Sequence, residues 1–444
     1  MKRNITEKLI SWKNKTAHKP LIIRGARQVG KTYTVLDFGR THFDGNIHHF
    51  NFEKFPELQS IFEQNLDSNR IVSELELAGG KKITPGTDLL FFDEIQECPK
   101  AILALRYFYE EKPDLHIIAA GSLLEFALKD ISFPVGRLQT LSMHPMTFEE
   151  FLLATGNELL AEKTKQSEDP FSEAVINRIN NEMYNYFIVG GMPECVATFA
   201  STGSFIDVLQ LQTDLISAFR QDFSKYSGHS DKRCLNSVLN SVAKKTGEQI
   251  KYARLSEDFT NPTIKKAFEL LEMARLFNKV RAASPAGIPL GASASEKIFK
   301  TVFLDIGLLS NLNGFSSDKT VPKHQLSSAW NGKLAEQFVG QELRASGNDN
   351  LYYWVRDKRG SSAETDYIIE NGGKIIPIEV KSGKSGKLKS LHLLLKTFPN
   401  VQKAYVLTED KYGEIPEQKI KFRPLFCAGN LIFDSLSKAP STLS

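Results

Sequence analysis

Over the first 150 residues, short apolar runs alternate with stretches of helical periodicity. Leu21–Ile23, His48–Phe52, Leu89–Phe92 and His116–Ala119 read as strands, with room for a helix between each pair. That alternation predicts a parallel α/β sheet with helical cover. From Phe148 to about Phe223 the pattern is mainly helical. Thr164–Pro170 reads as a polar loop, and Gly190-Gly191-Met192-Pro193 as a helix end or turn. Within 232–282 the pattern gives a short helix at Leu255–Phe259, a helix start at Asn261-Pro262, a longer helix over Thr263–Leu276 and a strand at Phe277–Ala282. This is the order of a winged helix-turn-helix, with Ser284–Ser295 as wing tip or loop. After a polar break at Phe315–Gln325, Trp330–Ala345 reads as a helix. Leu351–Val355, Glu364–Ile369, Ile375–Val380 and Ala404–Thr408 read as strands of a separate α/β domain.

Composition narrows the class. At 444 residues, 41% hydrophobic and 24% charged, the chain can bury several cores. No run of eighteen apolar residues suggests a membrane span. The opening MKRNITEKLISWKNKT lacks the apolar core of a signal peptide, so the expected compartment is the cytoplasm. Cys98, Cys195, Cys234 and Cys427 are scattered and read as buried small hydrophobes rather than a metal or disulfide framework. Between Arg220 and Lys300 there are 15 basic against 8 acidic residues, although the whole chain carries only +4. This basic segment suits either a nucleic-acid-facing surface or a plain solvated face.

The strongest chemical signal is Gly25-Ala26-Arg27-Gln28-Val29-Gly30-Lys31-Thr32, which fills every fixed position of GxxxxGK[ST] between a strand and a helix. Glycines let the backbone approach phosphates, and amides at the helix N-terminus form a positive cradle. Lys31 would reach the β/γ-phosphates of ATP and the Thr32 hydroxyl would ligate Mg²⁺, with Tyr33 closing the nucleotide-binding run. Leu89–Phe92 then delivers Asp93 and Glu94 to a strand's C-terminal end, where open α/β sheets bind ligands. Asp93 would hold Mg²⁺ and Glu94 would orient or deprotonate the attacking water. Ser122 either senses the γ-phosphate or caps a helix. Arg137, in Pro134-Val135-Gly136-Arg137, is a candidate arginine finger, with a plain surface arginine as the alternative.

The runs RGARQVGKT, LLFFDEIQECP, IIAAGSLLEF and SFPVGRLQTLSMHPMTFEEFL resemble the AAA+-type prokaryotic ATPases that carry a C-terminal domain of unknown function. Tyr186–Glu194 and Lys300–Leu309, KTVFLDIGLL, extend the likeness over nearly the whole chain. The resemblance implies an AAA+-like P-loop ATPase domain (1–155), a helical region (156–225), a winged-helix-like domain (226–314) and a restriction-endonuclease-like α/β domain (315–444). Asp93, Glu94 and Ser122 match the family's Walker B and sensor positions, and Arg137 its recurrent Gly-Arg.

The last domain carries Asp366 and, thirteen residues on, Glu379-Val380-Lys381, which resembles the PD-(D/E)xK nuclease pattern. Glu379 and Lys381 share a strand face. Asp366 and Glu379 could hold Mg²⁺, with Lys381 orienting water, and Glu336 matches the extra acidic residue of RecB-like members. Thr365 stands where the pattern often has proline. Plain cross-strand ion pairing is the competing explanation. Two functions follow: an ATPase acting on double-stranded DNA, or an ATP-dependent regulatory switch that binds protein and keeps a silent nuclease-like domain. A small-molecule kinase fits the long tail poorly. Arginine fingers often act between subunits, so a homo-oligomer is a further expectation.

Overall fold

The computed structural model describes residues 1–127, 136–165, 170–226, 231–314, 328–356, 363–382, 388–410 and 412–431. The chain divides into two units, Met1–His144 with Met273–Arg275, and Pro145–Glu272 with Leu276–Ser444.

The first unit runs α1 (Ile5–Lys13), β1 (Leu21–Arg24), α2 (Lys31–His42), β2 (Ile47–Asn51), α3 (Ser68–Gly79), β3 (Leu89–Asp93), α4 (Pro99–Glu111), β4 (His116–Gly121), α5 (Leu124–Ala127) and β5 (Gln139–Ser142). Its five strands are all parallel, in the order β2-β3-β4-β1-β5. Every residue of β3 and β4 is buried, as strands covered on both faces must be. Leu90, Phe92, Ile117 and Ala119 share one core with Ile71 and Leu75 of α3 and with Ile102, Leu105 and Phe108 of α4. The pattern does not announce β5. Gln-Thr-Leu-Ser has no apolar run, and this edge strand is fixed by its pairing with β1, Leu21 to Gln139 through Arg24 to Ser142.

The second unit begins with helices α6 (Phe148–Ala154), α7 (Glu158–Lys165), α8 (Glu173–Val189), α9 (Pro193–Thr202), α10 (Phe205–Tyr226), α11 (Lys232–Lys244) and α12 (Asn261–Met273, whose last residue groups with the first unit). It continues with β6 (Phe277–Ala282), β7 (Phe299–Phe303), α13 (Ile306–Leu312), α14 (Ser328–Ala345), β8 (Leu351–Val355), β9 (Glu364–Asn371), β10 (Lys374–Val380), α15 (Lys389–Thr397), β11 (Ala404–Thr408), β12 (Gly413–Ile415) and β13 (Ile420–Pro424). Helix α12 is followed by the antiparallel hairpin β6–β7. That hairpin does not stand alone. Strand β6 pairs with β8 in parallel, so hairpin and C-terminal strands form one eight-stranded mixed sheet, β12-β13-β11-β10-β9-β8-β6-β7.

Two local expectations need correction. Leu255–Phe259 is not a helix; a single 3₁₀ turn at Tyr252–Arg254 precedes it. Ser256 Oγ takes the Asp258 amide, the kind of local bond that competes with helix formation. Thr164 and Lys165 belong to α7 rather than to a loop, while 166–169 and the break at 315–325 lie outside the described residues.

The two stretches beyond the P-loop region that carry the family likeness meet in this unit. Asp305 is fully buried, N-caps α13 by accepting the Leu308 amide at 3.0 Å, and takes the Gly191 amide at 2.6 Å. A Cβ at Gly191 would stand 2.1 Å from the Met146 carbonyl oxygen, so no larger residue fits that approach. Tyr186 completes the network through Met146 O and Gln341 Nε2.

Glu342 on α14 is 5% exposed and accepts the Phe148 amide at 2.9 Å. Burial pushes its pKa from 4.5 up to about 8. The folded chain therefore keeps a proton that the unfolded chain releases. The stability this gives is complete below the ordinary glutamate range and is lost as pH rises through about 8. Glu342→Gln keeps the acceptor and cannot ionise. Its stability relative to wild type should rise between about pH 5 and about pH 8, by up to about 1.4 kcal/mol per unit. Urea melts at the two pH values check this, and parallel curves would contradict it.

Candidate functional site

Strand register alone assembles the first site. Asn51, Asp93, Ala120 and Ile23 lie in one row across β2, β3, β4 and β1. Past that row the chain leaves β1 into Gly25–Thr32, β3 into Glu94 and β4 into Ser122. The three segments named from the sequence thus emerge from one edge of the sheet, the C-terminal edge where α/β sheets take ligands.

Gly25 packs with no room for a side chain, since a Cβ would meet the Met143 carbonyl oxygen at 2.4 Å. Gly30 then turns into α2 with φ 89°. Lys31 begins the helix and is 7% exposed. Its Nζ donates to the carbonyls of Gly25 at 3.1 Å and Ala26 at 2.8 Å, which holds the ammonium over the loop's amides. Burial lowers its pKa to about 8, against the upward pull of Glu94 and Asp93. Thr32 Oγ1 donates to Asp93, 3.2 Å from Oδ1 and 3.1 Å from Oδ2. Adjacent oxygens around an octahedral Mg²⁺ at about 2.05 Å lie about 2.9 Å apart. The hydroxyl and carboxylate therefore fit a shared Mg²⁺, which would neutralise phosphate charge.

Sequence reasoning missed the rest of this shell. Asp93 is 2% exposed and also takes Asn51 Nδ2 at 3.1 Å and His49 Nε2 at 3.3 Å. His49 itself stacks on Phe91, centroids 4.9 Å apart. The available signal was the polar positions His49 and Asn51 within β2. Glu94 has left-handed backbone, φ 49° and ψ 47°, a conformation that costs a non-glycine residue about 1 kcal/mol or more. Its Oε2 accepts from Gln96 Nε2 at 2.7 Å and from Ser122 Oγ at 3.1 Å. Ser122 thus touches the carboxylate assigned to water. Arg275, which groups with the first unit, also has positive φ, 60°, and donates through Nε to Glu125 Oε1 at 2.8 Å.

Arg137 lies elsewhere. It precedes β5, whose first residue pairs with the first residue of β1, so it sits at the sheet edge opposite the P-loop. There its Nε donates to Glu110 Oε1 at 3.1 Å, with the side chain 46% exposed. Pro134 and Val135 lie outside the described residues.

The second unit brings Glu336, Asp366, Glu379 and Lys381 into one neighbourhood and adds a residue the sequence reading left out. Lys300 on β7, 2% exposed, stands 3.1 Å from Glu336 Oε1, 3.0 Å from Glu364 Oε1 and 3.9 Å from Asp366 Oδ1. Asp366 Oδ2 takes the Val380 amide at 2.7 Å, and Lys381 Nζ donates to Glu379 Oε1 at 2.6 Å. Burial pushes Glu336 up to about 8 and Glu379 up to about 7. Burial also works against the Lys300 charge, but Glu336, Asp366 and Glu364 outweigh it and hold the ammonium above its ordinary range. Among the described residues, no three His, Cys, Asp or Glu side chains are placed to share a metal ion.

Residues 17–152 match a family described as an AAA domain. The span includes the P-loop, Asp93, Glu94, Ser122 and Arg137. Residues 180–319 and 331–425 match two domains of unknown function, DUF8612 and DUF4143. The N-terminal unit is thus an α/β P-loop domain of the AAA type. An uncharacterized protein of Methanocaldococcus jannaschii, MJ1544, is 25% identical over 389 residues, 83% of this chain and 74% of that one. Among solved structures, the Walker-type ATPase PABY2304 of Pyrococcus abyssi is 17% identical with a TM-score of 0.43, covering 69% of this chain and 94% of its own. A RuvB variant of Thermotoga maritima is 14% identical with a TM-score of 0.29, covering 62% and 89%. These structural likenesses are loose. All four cysteines are buried and none forms a disulfide, and no helix among the described residues is long and apolar enough to cross a membrane.

Proposed function

We propose that the chain hydrolyses ATP at the edge of the first unit's sheet. The observation that carries this reading is the direct bond between Thr32 Oγ1 and Asp93, which joins the P-loop to the acidic strand end 61 residues away. Lys31 and the amides of residues 25–32 bind and orient the phosphates. Thr32 and Asp93 would hold Mg²⁺, with Asn51 and His49 fixing the Asp93 carboxylate. Glu94 orients water and accepts its proton, and Gln96 and Ser122 position that carboxylate. A finger role for Arg137 requires a neighbouring copy of the chain, because its own nucleotide site lies at the other edge of the sheet.

We further propose that hydrolysis is coupled to double-stranded DNA, on the strength of the basic excess between Arg220 and Lys300. The regulatory-switch reading draws support from the cluster around Lys300, whose carboxylates are already occupied. Steady-state ATPase assays with and without duplex DNA separate the two. Stimulation that fades between about 50 and 200 mM salt is expected for the DNA reading. A rate indifferent to DNA at low salt would refute it and favour the switch.

A further inference from the structure

Lys300 is the second residue of strand β7, at the end of the eight-stranded sheet, yet it is more deeply buried than most lysines ever are. The stem lies near the ring of Tyr353, with Nζ 5.2 Å from the centroid. The ammonium faces carboxylates from two different elements. Glu336 comes from α14, while Glu364 and Asp366 come from alternate positions of β9. A divalent cation held by Glu336 and Asp366 would need both oxygens within about 2.1–2.5 Å of its centre. The Lys300 ammonium is already paired with both, 3.1 Å from Glu336 Oε1 and 3.9 Å from Asp366 Oδ1, and a second positive charge a few ångströms away would be repelled strongly in so buried a place. Two further oxygens of the cluster are also engaged. Asp366 Oδ2 holds the Val380 amide and Glu379 Oε1 holds Lys381, and Glu379 Oε2 is a buried oxygen without a partner. One such oxygen is not a cation site.

We propose that Lys300 supplies, from within the chain, the positive charge that a divalent cation would otherwise bring to this cluster. The cluster is then a metal-independent charge lock tying β7, α14 and β9 together, rather than a cation-activated cleavage centre. The lysine belongs to the KTVFLDIGLL stretch, far in sequence from the acidic pattern it neutralises. This assignment is independent of the nucleotide reaction in the first unit.

The test is Mn²⁺ titration calorimetry on the full-length, nucleotide-free chain, comparing wild type with Asp366→Asn. Any Mn²⁺ taken up at the nucleotide site is common to both proteins and cancels. Identical isotherms are expected. A saturable wild-type component that Asp366→Asn abolishes would overturn the proposal. Lys300→Met supplies the converse. If it folds by near-ultraviolet circular dichroism, it should gain one Asp366-dependent Mn²⁺ site, and a folded variant that gains none overturns the proposal. If it does not fold, the wild-type and Asp366→Asn pair decides alone. Duplex DNA incubated with wild type and Mn²⁺ should stay intact, and nicking that Asp366→Asn removes would equally refute the charge lock.

Discussion

Glu94→Gln should bind ATP as tightly as wild type and turn it over about 10²–10⁴-fold more slowly, the usual worth of a positioned general base. The side chain keeps its shape, and an amide can still be held by Ser122 and Gln96, whose bonds to Oε2 fix the carboxylate in the native site. What disappears is the capacity to take a proton from water. Single-turnover hydrolysis with radiolabelled ATP measures the chemical step, and a fluorescent nucleotide analogue measures binding. A hydrolysis rate within threefold of wild type would move the base to another residue. Loss of binding along with hydrolysis would mean that the left-handed turn at Glu94 supports the P-loop itself.

Lys31→Met should weaken ATP binding by about 10²–10³-fold, as expected when one partner of a desolvated charge pair is truncated. Methionine replaces the stem at similar volume, so thermal melting should be little changed. Burial already lowers this lysine to about 8 in the protein, and the triphosphate supplies the charge that makes its protonated form favourable. Fluorescent nucleotide titration checks the prediction. Affinity within tenfold of wild type would remove the loop from the nucleotide site.

The first unit was legible because its signals are local and redundant. Leu-Leu-Phe-Phe reads as a strand covered on both faces, and the P-loop residues follow a strand and open a helix in consecutive sequence. Parallel pairing then brings Asp93 to Thr32 without any further information. The partners of Asp93 and Glu94 were not legible. Asn51, His49 and Gln96 are ordinary polar residues until register sets them beside a carboxylate. Lys300 is the sharper case. A lysine in Phe-Lys-Thr-Val-Phe reads as the polar face of an alternating strand. Only the pairing of β6 with β8, and the packing of α14, bury it among acids from 36 to 66 residues away. Arg137 shows the converse: a residue in a suggestive setting whose location depends on an edge strand with no pattern of its own.

The continuity of the eight-stranded sheet has a consequence for how the chain forms as it is made. Nearly all of the first unit is contained in the first 144 residues, so that part can collapse as soon as it leaves the ribosome. The β6–β7 hairpin has no such freedom. Its inner strand waits for Leu351–Tyr353, some seventy residues downstream, before its outward edge is covered. During synthesis this hairpin is an open template for wrong pairing, and the second unit is where a slow ribosome or a missing chaperone would be felt first.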